Sequence, residues 1–221
     1  MNPNDFNLFA NMLKKESGLV IGPDKAYLLE SRLIPIIRKW NITTLSDLAA
    51  RLRQERERDL LQDVIEAMTT NETSFFRDLK PFEQFRQHTL PMFLKARERE
   101  KRLRIWSCAC SSGQEPYSLA MILDEERHRM PGWQVEIHAS DISVEMLDRA
   151  RSGVYSQFEA QRGLPITNLV KYFKQSGNKW TIVPAIFQMV RFFQFNLLDN
   201  MARLGTYDIV FCRNVMIYFD Q

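Results

Sequence analysis

The chain has 221 residues, of which 45% are hydrophobic, 26% charged and 11% aromatic, enough apolar material for a core and too much for a disordered or low-complexity chain. Thirty basic residues against 27 acidic ones leave +3, too small an excess to predict nucleic-acid binding by itself. No apolar run reaches the roughly 18 residues of a membrane span, Met1 to Glu16 has no signal-type apolar stretch, and an odd count of three cysteines suits reduced thiols in a cytoplasmic protein.

Residues 1–80 read as helical by periodicity. Asp5 caps a helix carrying Phe6, Phe9, Met12 and Leu13, which Gly18 ends. Pro23-Asp24 opens a second helix with Leu28, Leu29, Leu33, Ile36, Ile37 and Trp40 on its buried side, and Pro35 inside that pattern predicts a kink or a break. Thr44 or Ser46 starts a third segment that runs through Leu52. The mixed-charge run Arg53 to Asp59 reads as a solvated turn or helix face. Leu60, Leu61, Val64, Ile65 and Met68 form one more amphipathic helix.

From Leu103 strands alternate with helices, which predicts a mostly parallel sheet wrapped by helices. The strands are Leu103 to Ser107, Trp133 to Ser140, Gln188 to Phe195 and Tyr207 to Cys212. Between them lie helices over Pro116 to Arg129 and Ser143 to Ser152, the second stopped by Gly153. Tyr155 to Ala185 breaks the rhythm with a helical piece, Thr167 to Phe173, and a hairpin-like 177–183. The expected organisation is an all-α domain at 1–70, a linker and leading helix at 71–102, and an α/β domain at 103–221 with an inserted small subdomain at about 155–187.

Ligands of such sheets sit beyond the carboxyl ends of the strands. The turn after the first strand, Cys108 to Pro116, contains only Gly113, so it is not a GxGxxG phosphate loop. Glu115 there opposes a pyrophosphate and suits a cationic or hydroxyl-bearing ligand, or it simply complements a helix dipole. Asp141, at the end of the second strand, is a ribose ligand or a turn aspartate. Asn196 follows the third strand and Arg213-Asn214 the fourth. Polar residues at four successive strand ends without a phosphate cradle point to a nucleoside lacking pyrophosphate. A 3-2-1-4 strand order would bring Cys212 near Cys108 and Cys110, but C-x-C is not a zinc spacing, so no metal site is expected and the thiols read as buried and reduced. His88, His128 and His138 read as structural.

Four segments, Thr69 to Asp78, Cys110 to Ser118, Ala139 to Ser143 and Phe211 to Phe219, resemble in this order the motifs of the chemotaxis-receptor glutamate methyltransferases, the CheR family. The resemblance implies a Rossmann-like S-adenosylmethionine-dependent methyltransferase sheet preceded by a small all-α domain. It implies that Asn71, Thr73, Arg77, Glu115, Asp141, Asn196, Leu197, Arg213 and Asn214 contact the donor, with Arg77 and Tyr218 beside the transferring methyl and the substrate carboxylate. S-adenosylhomocysteine would be the product. The substrate would be glutamates on chemoreceptor cytoplasmic helices, docked against Lys25, Arg32, Arg38 and Lys39 on the second helix. A receptor tail peptide on the inserted subdomain and a regulatory adaptor protein are further partners the family suggests.

Two departures stand out. Gln114 replaces a common Glu, and the second helix carries fewer arginines than the family's usual pattern. The family continues with about three more strands, so the C-terminal strands are expected to be missing, and a monomer is expected unless those strands are exchanged. A donor-binding form that acts as a receptor-binding or regulatory module without turnover is the competing reading. A DNA amino-methylase is disfavoured, because Arg213-Asn214-Val215-Met216 stands where an Asp/Asn-Pro-Pro-aromatic motif belongs.

Overall fold

The computed structural model describes residues 1–54 and 56–220; Glu55, inside the mixed-charge run, lies outside them. The chain forms two compact units. One comprises Met1–Thr70, Asn196–Asp199 and the segment from Asn214 onward. The other comprises Asn71–Phe195 and Asn200–Arg213.

The first unit is helical. Helix α1 (Pro3–Ser17) is capped by Asn2, not by the expected Asp5. Asp5 lies in the first turn and is buried, its backbone N–H donating to Asn2 Oδ1 at 2.8 Å and its carboxylate accepting from Ser46 Oγ at 2.6 Å. Gly18 ends α1 at φ 76°, in the left-handed region, with Phe219 3.0 Å from where a β-carbon would stand. A 3₁₀ turn at Pro23–Lys25 leads into α2 (Ala26–Lys39). Of the kink or break expected at Pro35, the break does not occur: α2 runs through it. Pro35 and Ser31, whose carbonyl the proline leaves without its helical donor, are both exposed residues, while Leu29 and Leu33 are buried. Helix α3 (Leu45–Leu52) opens with a reciprocal Thr44–Asp47 capping box, and α4 (Arg58–Met68) buries Leu60, Val64, Ile65 and Met68.

The second unit begins with α5 (Lys80–Gln84), a π-helical turn over Phe85–Thr89, and α6 (Leu90–Ala96). Strand β1 (Arg102–Cys108), α7 (Gln114–Glu125), β2 (Gln134–Asp141) and α8 (Val144–Ser152) follow. A small antiparallel sheet comes next. It is built from β3 (Val154–Ser156), α9 (Gln157–Gln161), α10 (Ile166–Tyr172), β4 (Phe173–Ser176) and β5 (Lys179–Ile182), in the order β3-β5-β4. After α11 (Pro184–Phe187), β6 (Val190–Gln194) and β7 (Ile209–Cys212) complete a parallel sheet. Its order, β6-β2-β1-β7, is the expected 3-2-1-4 arrangement. The helix after β1 starts two residues before Pro116, and the hairpin opens at Phe173, earlier than expected, because Phe173 and Tyr172 are both needed in the core. No helix among the described residues is long and apolar enough to cross a membrane.

The core of this unit is aromatic. Phe75 meets Tyr155 and Phe173 edge-on, with ring centroids 5.0 and 5.5 Å apart. Tyr117 packs edge-on against Tyr155 and Phe192. Each buried tyrosine also satisfies its hydroxyl: Tyr117 donates to the Ala150 carbonyl at 2.9 Å and Tyr155 to the Ser112 carbonyl at 2.8 Å. Through Tyr155, the inserted sheet braces the turn that follows β1.

Candidate active site

The turn after β1 is wound unusually tightly. Ala109, Ser111 and Gly113 all have positive φ, at 56°, 50° and 92°. A β-carbon on Gly113 would come 3.0 Å from the Ala150 side chain and 3.2 Å from Tyr117, so packing of α7 demands this glycine. Two non-glycine residues in the left-handed region cost roughly 1–3 kcal/mol each, and such strain clusters at functional sites. The segment before α5 shows the same feature, with Phe76, Asp78 and Leu79 at φ 50°, 65° and 41°.

Two hydrogen-bonded chains organise the strand ends. In the first, Asp141 is buried, and its carboxylate accepts from the Ser111 N–H at 2.7 Å and the Ser143 N–H at 2.9 Å. Ser111 Oγ in turn donates to the Asn71 carbonyl at 2.9 Å. Asp141 is thus a turn aspartate, and these bonds fix the orientation of its carboxylate at the strand end. In the second chain, Glu115 accepts from Ser107 Oγ at 2.8 Å and from Arg213 Nη1 at 3.0 Å. Arg213 Nη2 reaches the Arg77 carbonyl at 2.7 Å and the Asp78 carboxylate at 2.8 Å. Burial pushes the Glu115 carboxyl above its ordinary range, although Ser107 and Arg213 pull it down. Arg213 also lies over the Phe82 ring, 5.3 Å from its centroid.

Arg77 is half-buried and donates through Nη1 to the Glu72 carbonyl at 2.6 Å. Its other guanidinium donors have no partner among the described residues. Glu72 is held by an ion pair with Arg162. Thr73 is half-buried beside these residues in sequence. Ser107, Ser111 and Asp78 were not singled out as site residues. The last two stand inside the quoted motifs, but only the fold reveals that their polar atoms are spent on Asn71, Asp141 and Arg213.

The remaining expected site residues lie in the helical unit. Asn196 donates from Nδ2 to the Glu16 carbonyl at 2.6 Å and accepts from the Leu198 N–H at 3.0 Å. Leu197 is half-buried and Asn214 is exposed at φ 55°. The Tyr218 carbonyl accepts from the Val20 N–H at 3.0 Å, and the residue is half-buried. The basic stripe of α2 is not uniform. Arg32 donates from Nη1 to the Met68 and Thr69 carbonyls at 2.8 and 3.1 Å, closing the C-terminus of α4. Lys39 pairs with Asp63 at 2.7 Å. Lys25 and Arg38 are exposed, and their side chains have no hydrogen bond or ion pair among the described residues. Of the histidines, His138 bonds Tyr207 through Nδ1 at 2.7 Å. Cys108 and Cys110 are buried, but Cys212 is exposed, against the expectation of three buried thiols; β7 ends the sheet and buries only one of its four residues, Phe211.

An open parallel sheet whose strand ends carry oriented carboxylates, and no glycine-rich phosphate cradle, defines an α/β protein of the nucleoside-dependent methyltransferase class. Residues 71–221 match the family model of the CheR methyltransferase SAM-binding domain, and residues 4–69 match that of the CheR methyltransferase all-alpha domain. The chain is 46% identical over 219 residues to chemotaxis protein methyltransferase 1 of Pseudomonas aeruginosa, covering 97% of this chain and 79% of that protein. It is 43% identical over 219 residues to chemotaxis protein methyltransferase Cher2 of Pseudomonas putida, with the same coverage. It is 39% identical over 222 residues to the chemotaxis protein methyltransferase of Vibrio anguillarum, covering 99% of this chain and 80% of that protein. The chain belongs to the CheR methyltransferase family, and it is an S-adenosylmethionine-dependent methyltransferase.

Proposed function

We propose that the chain methylates glutamate side chains on the cytoplasmic helices of chemoreceptors, yielding glutamyl methyl esters, and that it does so in the cytoplasm. The observation that carries this reading is the pair of oriented carboxylates that follow adjoining strands, Asp141 buried at the end of β2 and Glu115 half-buried in the first turn of α7. They suit hydroxyl and cationic groups and would repel a pyrophosphate. S-adenosylmethionine has both kinds of group and no phosphate. It supplies, when bound, a methyl carbon made electrophilic by sulfonium. Asp141 would hold the ribose hydroxyls. Asn71, Thr73, Glu115 and Arg213 would line the rest of the donor site. For Asn196, Leu197, Asn214 and Tyr218 the roles rest on the motifs alone.

A glutamate with pKa ≈ 4.3 is already ionised at neutral pH, so the chain need not supply a base. Its task is orientation and exclusion of water. The free donors of Arg77 fit a carboxylate, and guanidinium binds one through two parallel N–H bonds. Tyr218 would hydrogen-bond at the reacting edge. Transfer of a labelled methyl group to receptor cytoplasmic fragments tests the activity. Calorimetry on Asp141→Ala tests the site: donor affinity should fall at least 10-fold while the helical content is retained, and unchanged affinity would remove Asp141 from it.

A further inference from the structure

Cys108 and Cys212 are the last residues of neighbouring parallel strands and are register partners across β1 and β7. Adjacent strands run about 4.7–4.9 Å apart, inside the roughly 4.4–6.8 Å between α-carbons that a disulfide spans. Register partners present their side chains on the same face of a sheet. Cys108 Sγ donates to the Phe211 carbonyl at 3.2 Å, so its sulfur already lies against β7 one residue before Cys212.

The two sulfurs differ in access. Cys212 is exposed, whereas Cys108 is 2% exposed. Burial, reinforced by the Cys212 thiol and the Glu115 carboxylate, pushes the Cys108 thiol up, so it stays protonated and inert toward a dissolved oxidant. The third thiol, Cys110, is 1% exposed, points at the Ser111 carbonyl at 3.7 Å, and is separated from Cys108 by the left-handed Ala109.

We propose that Cys108 and Cys212 form a reversible disulfide on exposure to a peroxide, and that this bond suppresses donor binding. The second half rests on the donor-site reading above. In the first step the Cys212 thiol releases its proton to solvent and the thiolate attacks one peroxide oxygen. The O–O bond breaks, giving a sulfenic acid and hydroxide, and the hydroxide takes up a proton from solvent to become water. In the second, Cys108 sulfur attacks the Cys212 sulfur, and the displaced hydroxyl leaves as water with the Cys108 proton. Two thiols are oxidised and one peroxide is reduced to two waters.

The link must draw the β-carbons to about 3.8 Å, roughly 1 Å closer than the strand spacing. The residues flanking the two cysteines, Ser107 and Arg213, are the two that hold Glu115. A pull at this point therefore falls on the second hydrogen-bonded chain of the site. A cross-strand bond held under such strain is more easily reduced than a relaxed one, which suits a reversible device.

Peptide mapping of the whole chain after hydrogen peroxide treatment, with free thiols alkylated first, tests the linkage. The expected product joins the Cys108 and Cys212 peptides, weighs two hydrogens less than the pair, leaves Cys110 alkylated after unfolding, and reverts with dithiothreitol. Calorimetric titration with S-adenosylmethionine should show at least 10-fold weaker binding by the linked form, full recovery on reduction, and no peroxide effect in Cys212→Ser. A Cys108–Cys110 link, an over-oxidised Cys212 with no link, or a linked form with unchanged donor affinity would each overturn the proposal. Reduced protein that forms the link yet binds no donor would refute the donor-site reading, and the suppression with it, while establishing the disulfide.

Discussion

Glu115 holds the sharpest conflict between stability and use. Its carboxylate is half-buried, and desolvation raises its pKa despite Ser107 and Arg213. A carboxyl whose folded pKa is raised contributes stability that is complete below its unfolded value, near 4.3, and lost as pH rises through the folded value. Glu115→Gln does not titrate. Its amide can turn its oxygen to Arg213 and its NH₂ to Ser107 Oγ, keeping both bonds. Its melting temperature should therefore match the parent near pH 4 and exceed it at pH 7, while donor affinity falls. Thermal melts across that range check the sign: a Gln variant less stable than the parent at pH 7 would mean that the ion pair with Arg213 outweighs desolvation. Retaining such a group against its cost in stability is the behaviour expected of a binding residue.

At the scale of elements, the inserted sheet serves the turn after β1. Tyr155, on β3, is buried, and its hydroxyl fills the acceptor of Ser112 in the middle of that turn. Tyr155→Phe leaves the Ser112 carbonyl without its donor and should cost about 1–3 kcal/mol. In urea, the midpoint should drop with an unchanged slope, since the surface exposed on unfolding is the same. This brace was invisible in the sequence, where Tyr155 only marked the start of an irregular stretch. What the sequence did carry was periodic or local. The Ser143 cap, the Gly18 and Gly153 stops and the alternation of strands with helices announce themselves within a few residues, whereas the 3-2-1-4 order is supposed from the fold class and the crossover rule fixes only the handedness of its connections. Pro35 does not break α2, because it and Ser31 both stand on the exposed side of the helix. The strand-end polar residues were legible as candidates because the sheet's geometry dictates where ligands sit. Their pairing was not, because the Arg213–Glu115 contact joins positions 98 apart in sequence.

For the whole molecule, a net charge of +3 is a weak field, so the placement of charge matters more than its sum. The four cations assigned to receptor docking divide by what they already do. Arg32 is committed to the end of α4 by two hydrogen bonds to carbonyls. Lys39 shares an exposed ion pair with Asp63, worth little in water and easily exchanged for another carboxylate. Lys25 and Arg38 are exposed without such commitments, but Lys25 lies in the turn before α2 and Arg38 near its far end, about 20 Å apart at the helical rise per residue. Together they make a diffuse positive region rather than a continuous stripe, which acts on encounter more than on the bound geometry. Lys25→Glu/Arg38→Glu should accordingly raise KM for receptor fragments about 10-fold at low salt, leave kcat and donor affinity unchanged, and lose most of its effect by about 0.5 M salt, where screening is short-ranged. Arg32→Ala should behave differently, losing about 1.5–3 kcal/mol of unfolding free energy through its charged hydrogen bonds. If the double variant shows a parent KM at every salt concentration, α2 does not steer the substrate, and recognition has to come from another surface.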